Sequence, residues 1–257
     1  MPVTETSTIH VTLPDGSQRE VPRGTTPLDI AKSISPRLAD AALVAKIKHS
    51  ALGTPHPAAD QPPDGAKTAA TMHAPQSKDG WQFADLTKPL EEDVELRLLT
   101  ERDSEALEVY RHSSAHLLAT AVLELFPETK LGHGPPTDTG FFYDFYRPTP
   151  FTPEDLEKIE KRMTEVANRD EKFARELVPR EEGLARYRTE GDFMKVHFIE
   201  QFTKPGEPIS TYRNGKFVDF CRGPHIPSTG RIKAFKLLSI AGAYWLGDEK
   251  NQQLQRI

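Results

Sequence analysis

Residues 48–80, KHSALGTPHPAADQPPDGAKTAATMHAPQSKDG, are rich in proline, glycine, alanine and serine and carry almost no large apolar side chains. A stretch of this composition cannot bury enough apolar surface to offset the entropy lost on ordering. It predicts a surface loop, in which His49, His56 and His73 are solvated rather than ligands. Any core must then be built from the segments on either side. The chain has 257 residues, enough for two domains of roughly 100–200 residues each.

The remaining composition narrows the class. With 37% hydrophobic and 28% charged residues, the chain reads as soluble and globular. No run approaches the roughly 18–20 apolar residues of a membrane helix. The start, MPVTETSTIHVTL, lacks the basic and apolar regions of a secretory signal. A single cysteine, Cys221, rules out an internal disulfide and fits a reducing cytoplasm. The net charge of −5 argues against a protein that coats nucleic acid, but not against a local basic patch.

The first segment reads as strand-rich. Thr8 to Leu13 alternates, Pro14-Asp15-Gly16-Ser17 signals a turn, and Arg19 to Pro22 resumes the strand. Thr26 and Pro27 predict a helix start, with Leu28, Ile30, Ala31 and Ile34 as its apolar face. Ala41 to Ile47 and Val94 to Leu99 read as buried strands, and Glu101 to Tyr110 as a hinge entering a helix.

Beyond it, His112 to Phe126 predicts a helix with a stripe of Ala115, Leu118, Val122 and Leu125. At about 100° per residue, His112 and His116 fall off that stripe. Residues 140–146 predict a strand, Thr152 to about Arg169 a capped helix, and 181–202 one or two short helices. A hairpin is expected over 209–222 and an apolar strand over 234–246.

The chemistry concentrates in two pairs. His112 and His116 are four apart on a helix, which is metal-ligand spacing, but no glutamate follows the first histidine as a zinc protease requires. Cys221 and His225 repeat the spacing, and Gly223-Pro224 between them forces a turn that folds both toward one point. Asp219 shares a strand face with Cys221. Such a set can hold zinc, or can bind and hydrolyse a small polar substrate. From Arg213 to Lys236 six basic residues (Arg213, Lys216, Arg222, Arg231, Lys233, Lys236) stand against Asp219 alone, a pattern that suits phosphates.

Four segments carry a family resemblance: RHSSAHLL (111–118), GFFYD (140–144), DFCRGPH (219–225) and AGAYW (241–245). In this order they closely resemble bacterial threonyl-tRNA synthetases, over nearly the whole chain. The resemblance implies an α+β chain. A β-grasp-like TGS domain over 1–100, with the insertion at 48–80, precedes an editing domain over 101–257 whose antiparallel sheet packs against helices. It implies hydrolysis of seryl-tRNA(Thr) made in error, in support of threonyl-tRNA synthesis.

Site residues follow position by position from the same resemblance. His112, His116, Cys221 and His225 match the family's HxxxH and CxxxH. Asp219 matches the aspartate before the cysteine, and Lys195 a lysine tied to water activation. Tyr143, in a motif the family writes GFYYD, and Arg222 are expected to bind substrate. No metal is expected for editing; zinc, if bound, would use His112, His116, Cys221 and His225, as in the related alanyl domains. The partner implied is the acceptor end of tRNA(Thr), with no membrane.

Nothing in the chain resembles an ATP site or the family's catalytic zinc site, both of which belong to an aminoacylation domain. The expectation is therefore a fragment of a synthetase rather than a free-standing editing protein. The whole enzyme is expected to be a homodimer, and the fragment a monomer. Two other readings stand beside editing: a zinc-dependent deacylase of the alanyl type, and a non-catalytic tRNA-binding module. His133, at a position usually apolar in the family, either approaches the pocket or lines a loop.

Overall fold

The structure is a computed structural model that describes residues 7–49 and 80–257. The loop expected at 48–80 therefore lies, from 50 to 79, outside the described residues. The chain forms two compact units whose main division falls between Val109 and Tyr110. Its architecture is mixed α+β. Among the described residues no helix is long and apolar enough to cross a membrane.

The first unit is a five-stranded sheet in the order β2-β1-β5-β3-β4. The strands are β1 (Thr8–Thr12), β2 (Gln18–Pro22), β3 (Ala42–His49), β4 (Gln82–Ala84) and β5 (Val94–Thr100). The Asp15–Gly16 turn returns β2 antiparallel to β1, with Gly16 at φ 81, where a side chain would be strained. On its other edge β1 pairs parallel with β5. Parallel neighbours need a crossover, and α1 (Pro27–Ile34) lies in it. The helix starts where Thr26 and Asp29 cap each other's backbone N–H groups. Ile9, Val11, Ile30, Ala45, Ile47, Val94 and Leu96 share one core. Ile34 does not join it: the expected helix face ends at Ala31, and Ile34 is exposed.

The second unit has a three-stranded sheet, β10-β9-β8, and a four-stranded one, β11-β12-β7-β6. In the first, β8 (Ala174–Pro179) and β10 (Phe217–Phe220) flank β9 (Pro208–Asn214). The second contains β6 (Lys130–Leu131), β7 (Asp144–Tyr146), β11 (Ala241–Tyr244) and β12 (Gln253–Arg256). Helix α3 (Ala106–Leu125) begins six residues before His112, so the expected hinge is partly helix. Helix α4 (Pro153–Asn168) begins at the expected capping box, in which Thr152 N–H donates to Asp155. Helices α5 (Arg180–Thr189) and α6 (Phe193–Phe202) pack Leu184, Tyr187, Met194, Phe198 and Ile199 against Ile209, Phe220, Trp245 and Leu254.

Two expectations need correction. The strand expected over 234–246 is confined to β11; residues 232–240 lack regular structure and Leu238 is 87% exposed. Its apolar residues meet no continuous partner edge. The strand expected over 140–146 shrinks to β7, with Phe141 in a single bridge to Pro136.

Candidate active site

The stripe on α3 is only part of its buried surface. From Ser113 to Val122 every residue is buried, Ser113, Ser114 and Thr120 included. His116 lies off the expected stripe and sits in a second buried face. Its ring lies edge-on to Phe217 at 5.6 Å and to His112 at 5.1 Å. Burial, then the charges of His112 and Lys195, pushes its basicity well below that of an ordinary histidine. His116 is thus a neutral imidazole wall. His112, one turn earlier and half-buried, places Nε2 3.3 Å from Cys221 Sγ.

Cys221 follows the end of β10. Its N–H donates to the Ser210 carbonyl and its own carbonyl accepts from Ser210 Oγ at 2.6 Å, which fixes the residue against β9. Ligand atoms of His112, His116, Cys221 and His225 lie within 4.8 Å of one another. A thiolate and three imidazoles are a donor set that suits zinc.

A second network lies beside the first. Lys195 and Asp219 are 1% and 2% exposed, and Nζ meets Oδ1 at 2.7 Å. Nζ also donates to Tyr143 Oη at 3.2 Å, and Tyr143 donates to Asp219 Oδ2 at 2.7 Å. The three groups close a triangle. Burial, reinforced by the Asp219 charge, holds the Tyr143 phenol well above its usual range, so it stays protonated and donates. The charge of Cys221 also reaches Tyr143, and that of Lys195 reaches His116, so the two networks are electrostatic neighbours. The Tyr143 ring lies against Gly134, where an added Cβ would sit 2.2 Å from a ring carbon; only glycine fits there.

Arg222 is half-buried beside Cys221. His133 lies 5.8 Å, ring to ring, from Phe198. The basic patch is weaker in space than in sequence. Arg213 is paired with Glu176 at 2.8 Å and Lys236 with Glu160 at 2.7 Å, acids that lie far away in the chain. Two supporting features escaped sequence reasoning. One is a relay in which Asn214 donates to Thr120, whose hydroxyl donates to the His116 carbonyl. The other is Asp192, which caps α6; an aspartate before Phe-Met-Lys-Val is a legible N-cap signal.

Residues 9–100 match the TGS domain, and residues 209–257 match the threonyl and alanyl tRNA synthetase second additional domain. The chain is 65% identical over 255 residues to the threonine–tRNA ligase of Acidobacterium capsulatum, covering 97% of this chain and 37% of that protein. It is 44% identical to that of Hyphomonas neptunium (97% and 33% covered) and 45% identical to that of Symbiobacterium thermophilum (98% and 34%). The chain spans about a third of the length of the curated relatives it matches.

Proposed function

This chain joins a TGS domain to the second additional domain of threonyl and alanyl tRNA synthetases, and from that pairing we propose that it hydrolyses seryl-tRNA(Thr) as the editing part of a threonine–tRNA ligase. The observation that carries the reading is the nest of His112, His116, Cys221 and His225 beside the sealed Lys195–Asp219–Tyr143 triangle. We assign the TGS domain to 1–100 and the editing domain to 101–257.

Ester hydrolysis needs a placed water, a base and charge at the developing oxyanion. His112, partly open and held by Cys221, takes the proton as water attacks the seryl carbonyl. The Lys195 ammonium, fixed by Asp219, stabilises the charge that builds on the carbonyl oxygen. The ester C–O bond then breaks, and the proton passes from His112 to the departing ribose oxygen. His116, His225 and Cys221 line the pocket with Tyr143, and Arg222 helps to bind substrate. Threonine differs from serine by one methyl, worth about 1–3 kcal/mol in a synthetic site, so a smaller second pocket that rejects threonine supplies the missing discrimination.

The partner is the acceptor end of tRNA(Thr), and the setting the cytoplasm. ATP and the synthetic zinc belong to an aminoacylation domain of the whole enzyme. That enzyme is read as a homodimer and this part as a monomer.

The deciding assay supplies seryl-tRNA(Thr) and threonyl-tRNA(Thr) to the purified chain. Release of serine with threonine retained is expected; equal rates sink the reading. Binding of tRNA without turnover would instead indicate a non-catalytic module. The four-donor nest motivates a second reading, a zinc-dependent deacylase. His112, His116, Cys221 and His225 would hold the ion, and zinc would supply Lewis acidity. A zinc with four protein ligands leaves no position open to water, so this reading requires one donor to be released. One equivalent of zinc in metal-free buffer, with turnover lost on chelation, would favour it.

A further inference from the structure

Lys195 is the third residue of α6, and what fixes that turn is Asp192. The Asp192 Oδ1 accepts the Lys195 N–H at 3.1 Å. Asp192 N–H donates to the Tyr187 carbonyl of α5 at 2.9 Å, and Gly191, at φ 65, makes the turn between the helices. A cap of this kind needs only a small polar oxygen, and serine or asparagine serves as well as aspartate. Asp192 is 6% exposed, however, and burying a carboxylate is unfavourable unless a charge answers it. Burial raises the Asp192 carboxyl above its ordinary range; the Lys195 charge opposes that shift in part, and the Asp219 charge adds to it. Two buried carboxylates thus hold Lys195: Asp219 meets its ammonium at 2.7 Å, and Asp192 its backbone N–H at 3.1 Å.

We propose that Asp192 is a positioning residue of the hydrolytic site: it sets the first turn of α6 so that Lys195 Nζ meets Asp219 and Tyr143, and its carboxylate is the second counter-charge to that ammonium. The kinetic part of this inference rests on the deacylation reading above.

Two experiments test it. In deacylation of seryl-tRNA(Thr), Asp192→Ala is expected to lower kcat by about tenfold or more, with KM within about twofold, because Lys195 is misplaced rather than the tRNA lost. Asp192→Asn keeps the cap oxygen and should recover to within about threefold of wild type. A loss confined to KM, or Asn as impaired as Ala, overturns the positioning role.

The second experiment needs no activity. Urea unfolding of Asp192→Asn, Lys195→Met and the double variant reads the coupling of the two charges. Lys195→Met leaves the capped backbone N–H in place, so a merely structural cap predicts additive losses. The inference predicts that Asp192→Asn destabilises the Lys195→Met chain less than it does wild type. Additive losses overturn the counter-charge. If the wild-type chain does not hydrolyse seryl-tRNA, the deacylation reading fails, and this cycle still decides Asp192.

Discussion

Among the described residues each unit buries one lysine, and the two lysines end differently. Lys46 of β3 is 4% exposed, yet its partner Glu105, at 2.5 Å, is 48% exposed. Its stem fills the first unit and its charge meets a carboxylate that water also reaches; Phe83 lies beneath the ammonium at 5.2 Å. Lys195 and Asp219 are both sealed, and Tyr143, His116 and Asp192 are buried with them. A buried ion pair adds little to stability over an apolar packing of the same volume, while breaking one side of it is severe. The first unit avoids that risk by letting its anion reach solvent. The second accepts it at Lys195 and Asp219, with Asp192, Tyr143 and His116 buried beside them, which is the distribution expected where the interior serves chemistry rather than packing.

The largest test replaces each lysine by methionine. Lys195→Met leaves Asp219 buried and uncompensated, so unfolding should become easier by about 3–5 kcal/mol, and deacylation should fall by about a hundredfold or more. Lys46→Met should shift stability by about 1 kcal/mol or less and leave deacylation intact, since Glu105 returns to water. Equal losses in urea unfolding would erase the contrast between the units. Next, His112→Ala should lower kcat by about 10²–10⁴-fold with little effect on folding, because the ring is half-buried and the role proposed for it is proton transfer. Single-turnover deacylation together with an unfolding curve separates the two effects, and a stability loss with normal turnover would refute the assignment.

A smaller effect lies at Glu124, which Arg169 and Arg162 hold below its ordinary value of 4.5. Its folded form ionises more readily than its unfolded form. The stabilisation is therefore present above about pH 4.5 and is lost as pH falls through the folded value. Glu124→Gln should cost about 1 kcal/mol at neutral pH and progressively less as the pH falls below about 4.5. An unfolding difference that does not narrow with acid contradicts the linkage. Smallest of all, Arg213→Ala removes an exposed pair and should leave the urea midpoint unchanged, while tRNA affinity weakens if that face meets phosphates.

The fold and the site were legible in the sequence, though unevenly. Turn and cap chemistry is local, so the Asp15–Gly16 turn, the Thr26 cap and the Thr152 capping box stand where the residues place them. The HxxxH and CxxxH pairs were visible as spacing. The closeness of Lys195 to Asp219 and Tyr143 was not, because no local pattern links residues 24 and 52 apart, and Lys195 entered by resemblance alone. The stripe on α3 left the burial of His116 unseen, since one apolar face does not show that the opposite face is covered as well. β12, QLQR, is mostly polar, and β8, ARELVP, shows no alternation strong enough to mark a strand. The basic run misled for a similar reason: Glu160 and Glu176 reach it only through the fold.

The parallel pairing of β1 with β5 also has a consequence in time. Val11, near the start of the chain, is matched with Val94, and β5 occupies the centre of its sheet. Ribosomes add about 5–20 residues per second, so β1 leaves the exit tunnel several seconds before its inner neighbour exists. The β1–β2 hairpin and β3 must wait as unpaired edges until β5 is inserted between them. The last strand made is thus the one that closes the sheet, and a nascent chain halted before Val94 would lack a folded first unit, however much of its core sequence had already been translated.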